Sequence, residues 1–265
     1  VSWGSDILVD ACRDEWFLWA TRAALRSCRG FLCDSRAVLS AACELGGAAA
    51  ETLVLPWGLE LSSYDRASAP QDRRRFRARL GWEECTVVLA SRAWHPGYEV
   101  PRLVDAFAAA AARNPRLRLL LLGAGAEEPA VRARIAARGI GARVDLPGMA
   151  GAADLRCALA AADIYASMVP SDGTSVSLLE AMLYELPPVV VQNLGNAEWV
   201  TPGETGWLVP AGDAEACAVR LLELAAEPAR ARAMGVRARE CVLERADWEA
   251  NVAGLADLYE RVRVR

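Results

Sequence analysis

Asp172 and Glu180 are separated by seven residues, Gly173-Thr174-Ser175-Val176-Ser177-Leu178-Leu179. The first five of these carry one glycine and three hydroxyls, and the last residues before Glu180 are apolar. Small residues let backbone N–H groups approach a ligand, and a helix opening at this point turns its positive end toward the same place. That combination holds a phosphate without a charged pocket. With Thr174 as the helix cap, Glu180 lies six residues further on, roughly 9 Å from the phosphate-facing end at ~1.5 Å per residue. At that distance its carboxylate can accept hydrogen bonds from the ribose of a nucleotide. Asp172 lies on the other side, where a group attached to the diphosphate would project. On spacing alone a plainer reading stands beside this one, with Asp172 as a turn residue and Glu180 on a solvated helix face.

The elements that must position these residues are legible around them. Ile164-Tyr165-Ala166-Ser167 reads as a short buried strand, Leu178 to Leu186 as a helix, and Pro188-Val189-Val190-Val191 as the next strand. Parallel sheets are built from such units. The alternation extends both ways. Strands are expected at Thr86 to Ala90, Leu117 to Leu122, Arg143 to Met149 and Thr205 to Val209. Helices are expected over Asp72–Leu80, Pro101–Arg113, Pro129–Arg138, Leu155–Ala162 and Asp213–Ala226. The expected fold class is therefore α/β, a parallel sheet with helices on both faces. Ahead of it, Trp16 to Arg29 reads as a helix and Gly30 to Cys33 as a strand running into a helix cap at Asp34 or Ser35. The helix Arg36 to Leu45 and the strand Thr52 to Leu55 follow, as part of a second α/β unit. At the far end Trp248, Val252, Leu255, Leu258, Tyr259 and Val262 recur at helical spacing, so the last helix has one apolar stripe.

Arg92 follows the strand Thr86 to Ala90 at its carboxyl end, where open α/β sheets hold ligands. Its planar fork of donors suits a diphosphate. Gly123-Ala124-Gly125 makes a tight strand-to-helix turn, a weak signal on its own. His95 is the only histidine and reads as a loop residue rather than a catalyst. The Arg run Arg73 to Arg79 reads as a solvated face. Eight cysteines occur without C-x-x-C spacing, so no zinc site is expected and the thiols read as apolar filler of a reduced compartment. All thirty basic residues are Arg, and the net charge of -4 argues against broad nucleic-acid binding. No apolar run is long enough to cross a membrane, and no signal-peptide pattern occurs. The opening Val1 leads to the expectation of a fragment or processed product.

The Asp172–Glu180 stretch, with Glu180-Ala181-Met182 after it, resembles the acidic motif of retaining GT-B glycosyltransferases of glycosyltransferase family 4. The resemblance is most specific from Pro56 to Val209. That family usually has Glu where this chain has Asp172, and a Lys about five residues after the residue matching Arg92. Here Ala93-Trp94-His95-Pro96-Gly97-Tyr98 supply no Lys, leaving Tyr98 and backbone donors in its place. The resemblance implies a Rossmann-like donor-binding domain over 81–240. A remnant of the acceptor domain precedes it at 1–60, with a linker and helix at 61–80 and a crossover helix at 241–265. It also implies that Gly123, Gly125 and Met149 border the nucleotide and its base. Gly173, Thr174, Ser175 and Val176 would line the diphosphate, with Arg92, Asp172 and Glu180 at the reaction centre. The loop at Trp3 would carry a His in many members, and none is carried across here.

The implied activity is hexosyl transfer from a UDP-, GDP- or ADP-sugar to a sugar, lipid or small-molecule acceptor, with retention and without a tightly bound cofactor or metal. A cytoplasmic location follows, peripheral at the inner membrane face if the acceptor is a lipid. The truncated first domain would be completed by a missing N-terminal part or a homo-oligomer. Two further readings stay open: a non-catalytic nucleotide-sugar-binding subunit with a separate acceptor partner, and a GT-B sugar epimerase.

Overall fold

The computed structural model describes residues 1–2, 4–47, 51–56, 58–64 and 66–263. Trp3, and with it the comparison to a catalytic His, lies outside the described residues, as does Trp57 of the interdomain segment.

The first unit opens with a short helix α1 (Ser5–Leu8) and a longer α2 (Glu15–Ser27), which Asp14 caps by accepting the N–H groups of Trp16 and Phe17. Strand β1 (Gly30–Cys33), helix α3 (Arg36–Glu44) and strand β2 (Glu51–Val54) follow, and the two strands pair in parallel. Ser35 rather than Asp34 caps α3, accepting the Val38 N–H at 3.3 Å. Asp34 is thereby released for another role.

After the linker comes α4 (Ala69–Leu80), then β3 (Thr86–Ala90), α5 (Val100–Arg113), β4 (Leu117–Leu122), α6 (Glu128–Ala137) and β5 (Val144–Gly148). The chain continues through α7 (Ala152–Ala161), β6 (Ile164–Ser167), α8 (Val176–Leu183), β7 (Pro188–Val191), α9 (Leu194–Ala197), β8 (Trp207–Val209) and α10 (Ala214–Ala226). It closes with α11 (Pro228–Arg245) and α12 (Trp248–Arg263). The strands β3 to β8 form one parallel sheet in the order β5-β4-β3-β6-β7-β8. This is a doubly wound order, and it reverses between β3 and β6, where the carboxyl ends of the two strands diverge into a crevice.

The sequence of each element explains its place. The central strands are β-branched or Leu runs buried on both sides, as parallel strands covered by helices must be. On one face α5 buries Val100, Leu103, Val104, Phe107 and Ala111, which repeat at helical spacing, and packs beside α10. On the other face lie α4, α7, α8 and α11. Helix α8 is buried from Ser177 to Leu183, so it has no polar outer face and carries Glu180 into the interior with it. The last helix returns to the first unit, where α12 packs on β2 and Arg261 pairs with Glu51. Leu258 of its apolar stripe is buried, whereas Tyr259 is exposed.

The Arg run of α4 departs from the expected solvated face. Arg77 is only 5% exposed. It donates to the Ala161 carbonyl at 2.8 Å and the Cys85 carbonyl at 2.9 Å, and pairs with Asp163. Arg73 pairs with the other oxygen of Asp163, whose Oδ2 also accepts the Val87 N–H at 2.8 Å. One carboxylate thus ties α4 to the sheet. Asp163→Ala should strand Arg77 and cost about 2–3 kcal/mol, less than a fully buried pair because Asp163 is partly exposed. A urea midpoint that falls with unchanged slope checks this; an unmoved midpoint would contradict it.

Candidate functional site

The crevice at the strand-order reversal is where the chemistry-bearing side chains meet. From the end of β3 comes Arg92. From the loop between β6 and α8 come Asp172, Thr174 and Ser175, and from α8 itself Ser177 and Glu180. Arg92 Nη2 lies 2.9 Å from Asp172 Oδ2. Its Nη1 donates to Ser175 Oγ at 2.9 Å and to Ser177 Oγ at 3.4 Å. Its Nε is buried without a hydrogen-bond partner, as is the neighbouring Ser91 Oγ. Buried donors left unpaired cost free energy unless something completes them. Tyr165 completes the base of the network through Ser177 Oγ at 2.9 Å, and burial pushes its phenol above the usual range.

Tyr98, expected at the diphosphate, stacks on the Arg92 guanidinium with 4.3 Å between the charge centre and the ring. The space bounded by Ala90, Arg92, Tyr98 and Met168 is correspondingly small, about 10 Å³. His95 caps its own turn by accepting the Gly97 N–H at 3.2 Å and sits beside Tyr98.

The helix cap lies one residue later than expected, while α8 itself starts before Leu178 and ends before Leu186. Ser175, not Thr174, is the N-cap of α8. Thr174 is held from the first unit instead: its N–H donates to Asp34 Oδ2 at 2.8 Å and its hydroxyl to the Asp34 carbonyl at 2.7 Å. Asp34 is 1% exposed, its other carboxylate oxygen has no partner, and burial raises its pKa. A Cβ on Gly173 would stand 2.4 Å from Asp34 Oδ2, so this position admits glycine because two parts of the protein meet there. Glu198 reinforces the junction by accepting the N–H groups of Arg36 and Ala37 at the start of α3.

Glu180 is 9% exposed. Its Oε1 accepts the Tyr64 hydroxyl at 2.6 Å. Burial raises the Glu180 pKa, an effect that the Tyr64 hydrogen bond partly offsets, and burial raises that of Tyr64. Sequence reasoning left Ser177 and Tyr165 outside the site, and it missed Tyr64 and Asp34, the latter read only as a candidate helix cap. These last two come from segments more than a hundred positions away, and no local pattern marks them.

Gly123 and Gly125 have φ of 118° and 156°, and a Cβ on either would stand 2.4 Å from the carbonyl oxygen of Arg92 or Trp94 respectively. Their first role is to seat the Arg92–Tyr98 loop, with the buried Trp94 donating its indole N–H to the Leu122 carbonyl at 3.2 Å. Met149 follows β5 and is 73% exposed. It rims a groove of about 450 Å³ with Phe76, Arg79, Leu122 and Pro147. A cavity of about 620 Å³ lies at the opposite edge of the sheet, by the amino ends of β3 and β6. It is lined by Arg66, Arg73, Glu185 and Arg232 and contains none of the expected site residues. Volume and chemistry therefore point to different edges. The unpaired Arg92 donor and the α8 amino end favour the carboxyl edge, where doubly wound sheets bind ligands. Among the described residues no group of three metal-ligating side chains converges, and no helix is long and apolar enough to cross a membrane.

Residues 84–227 match the family described as glycosyl transferases group 1. The putative glycosyltransferase EpsD of Bacillus subtilis is 28% identical over 195 residues, 73% of this chain and 50% of the relative. A GDP-mannose-dependent monoacylated α-(1-6)-phosphatidylinositol monomannoside mannosyltransferase of Corynebacterium glutamicum is 30% identical over 207 residues, 74% and 52% of the two chains. The chain spans about half the length of these curated relatives. Among solved structures, HepE of Anabaena in complex with UDP-glucose superposes with a TM-score of 0.86 at 24% identity, covering 97% of this chain and 71% of that one. Sucrose-phosphate synthase from Thermosynechococcus elongatus gives 0.80 at 28% identity, covering 97% and 64%.

Proposed function

The chain belongs to the group 1 glycosyl transferases and has the GT-B fold, and from that premise we propose that residues 81–240 bind a nucleotide-diphosphate sugar for hexosyl transfer. The observation that carries this reading is Arg92, held between Asp172 and Ser175 at the amino end of α8 with one buried N–H unpaired. The diphosphate would take that donor together with the N–H groups of Ser175 and Val176, a pre-formed cradle for the charge that grows on the leaving group. Asp172 would hold hydroxyls of the transferred sugar and Glu180 those of the ribose. The base would lie toward Gly123, Gly125 and Met149, with Tyr98 displaced from or stacked beside the diphosphate. In a retaining reaction of the family 4 kind, the leaving diphosphate itself accepts the acceptor's proton. That role suits a site where His95 is committed to its own turn, accepting the Gly97 N–H.

On this reading the first unit, 1–60, is the acceptor side, 61–80 the linker and 241–265 the return crossover. The named mannosyltransferase relative acts on a phosphatidylinositol mannoside. A glycolipid acceptor handled at the cytoplasmic membrane face is therefore part of the proposal. A second reading has its own observation: no second cation stands beside Arg92 in Ala93 to Tyr98. A subunit that binds donor and relies on a separate acceptor-binding partner would need no more.

A thermal-shift panel of UDP-, GDP- and ADP-sugars tests the donor reading. A donor at about ten times its Kd should stabilise by ~1.4 kcal/mol, about 3–5 °C in midpoint for a chain of this size. One base should stand out. Equal midpoints with every donor at millimolar concentration would reject the proposal.

A further inference from the structure

Asp34 has no role toward the donor as so far described, yet it ties the first unit to the loop before α8. It stands at the carboxyl end of β1, contributed by the opposite unit from Asp172. One carboxylate oxygen takes the Thr174 N–H, the backbone carbonyl takes the Thr174 hydroxyl, and the other carboxylate oxygen is buried with no partner. Thr174 is two residues before the first residue of α8. A negative charge on Asp34 therefore lies just behind the amides expected to receive the donor's two phosphates. Burial, and after it the nearby Asp172, oppose that charge, while hydrogen bonding from the Thr174 N–H, the Ser35 side chain and Asp34's own backbone favours it.

Resting on the reading of the α8 amino end as the donor site, we propose that Asp34 is a positioning residue that holds the donor loop from the acceptor side, and that the donor's diphosphate binds together with one proton taken from solvent by the Asp34 carboxyl. The physical ground is reciprocity. A diphosphate at the loop makes ionised Asp34 less favourable, so protonated Asp34 makes the diphosphate more favourable by the same factor. The other described charged groups around Asp34 offer it no free cation. Arg92, the nearest cation at the loop, is already engaged by Asp172. Glu198 faces the same junction as a second carboxylate, committed to the Arg36 and Ala37 N–H groups. Arg36 itself is exposed. On the amino-terminal side Asp6 accepts the Ser2 hydroxyl. Cys33, next in the chain, stays a neutral thiol, since burial raises it to about 12. At the far end of the site, binding of ribose hydroxyls to Glu180 favours its ionised form and so releases rather than takes up protons.

The sign follows. Donor affinity should fall as pH rises through the titration of Asp34 and level off once the proton is lost from free protein and complex alike. UDP-glucose is the probe, with GDP-mannose as the second, because neither diphosphate diester titrates near neutrality. Calorimetry on the whole chain over the pH range in which it stays folded should give a Kd that rises by up to about tenfold per pH unit through the titration of Asp34, with proton uptake seen as a buffer-dependent enthalpy. Asp34→Asn keeps an acceptor for Thr174 and removes the charge. It should flatten the profile and bind about tenfold tighter than the parent at the high end. His95, a residue type that changes charge near neutrality, is replaced by Gln in both backgrounds to isolate the effect. A parent chain with a flat profile, or a difference between the parent and Asp34→Asn profiles no larger than the error, overturns the proposal. Should Asp34→Asn fail to fold, the proton count of the parent chain alone decides. If no UDP-, GDP- or ADP-sugar binds the folded parent, the donor reading fails and this inference falls with it; binding with a pH profile shared by both chains sinks the inference and leaves the donor reading standing.

Discussion

Glu180→Ala should weaken binding of the donor chosen by the thermal-shift panel by roughly two orders of magnitude. The estimate follows from losing two hydrogen bonds to a charged acceptor, each worth about 1.5 kcal/mol net of water at the lower end of the range. The carboxylate is buried on a helix with no polar outer face, so no neighbouring group replaces it. Its present partner, the Tyr64 hydroxyl, comes from the linker between the two units. Tyr64→Phe leaves the carboxylate in place and should keep most of the affinity, which separates loss of the ribose contact from loosening of the linker. Calorimetry reads both variants. An unchanged Kd in Glu180→Ala would remove Glu180 from the nucleotide site.

Arg92→Ala should weaken the same donor by about 30- to 100-fold, corresponding to one or two charge-assisted hydrogen bonds. The corresponding nucleoside should lose far less. The difference between the two ligands is the diagnostic quantity, because a general collapse of the crevice would weaken both alike. The substitution also strips Asp172 of its ion partner and Tyr98 of the cation it covers. Equal losses for donor and nucleoside would assign Arg92 to scaffolding.

These two residues show what the sequence makes legible. Arg92, Asp172 and Glu180 sit at the ends of short apolar strands or just inside the following helix, and the alternation of strand and helix is written in continuous Val, Ile and Leu runs. Once the strands are parallel, their carboxyl ends share one edge, and the three residues are bound to meet. The position of the helix cap is not legible in the same way. Thr174 and Ser175 are both good cap types, but the Thr174 hydroxyl is engaged by the Asp34 carbonyl, and Ser175 holds the cap position with its hydroxyl turned to Arg92 rather than to the helix. Asp34 in turn looks like a cap of α3 until Ser35 fills that post. Such choices are settled between segments far apart in the chain, where local pattern carries no information.

The Arg run of α4 teaches the same lesson. Charge alternation suggests a solvated face, but Arg73 and Arg77 repeat at helical spacing and share Asp163, so one edge of that face turns inward. Helix α11 is hard to see in the sequence because its buried positions Ala231, Met234, Gly235, Ala238 and Val242 include small residues amid many Arg. Tyr98 is a further case: a residue expected to touch the diphosphate lies over the guanidinium that would bind it.

The central claim is that the turn from Asp172 to Val176, with Arg92 and Glu180, grips an activated sugar by its nucleotide handle. A crystal structure of the chain with the selected donor tests it most directly. The account predicts the diphosphate on Arg92 and the Ser175 and Val176 N–H groups, with the ribose on Glu180 and Tyr98 moved off its present stacking position. Density for the nucleotide in the 620 Å³ cavity at the opposite edge of the sheet, with Arg92 still paired to Asp172, would contradict it.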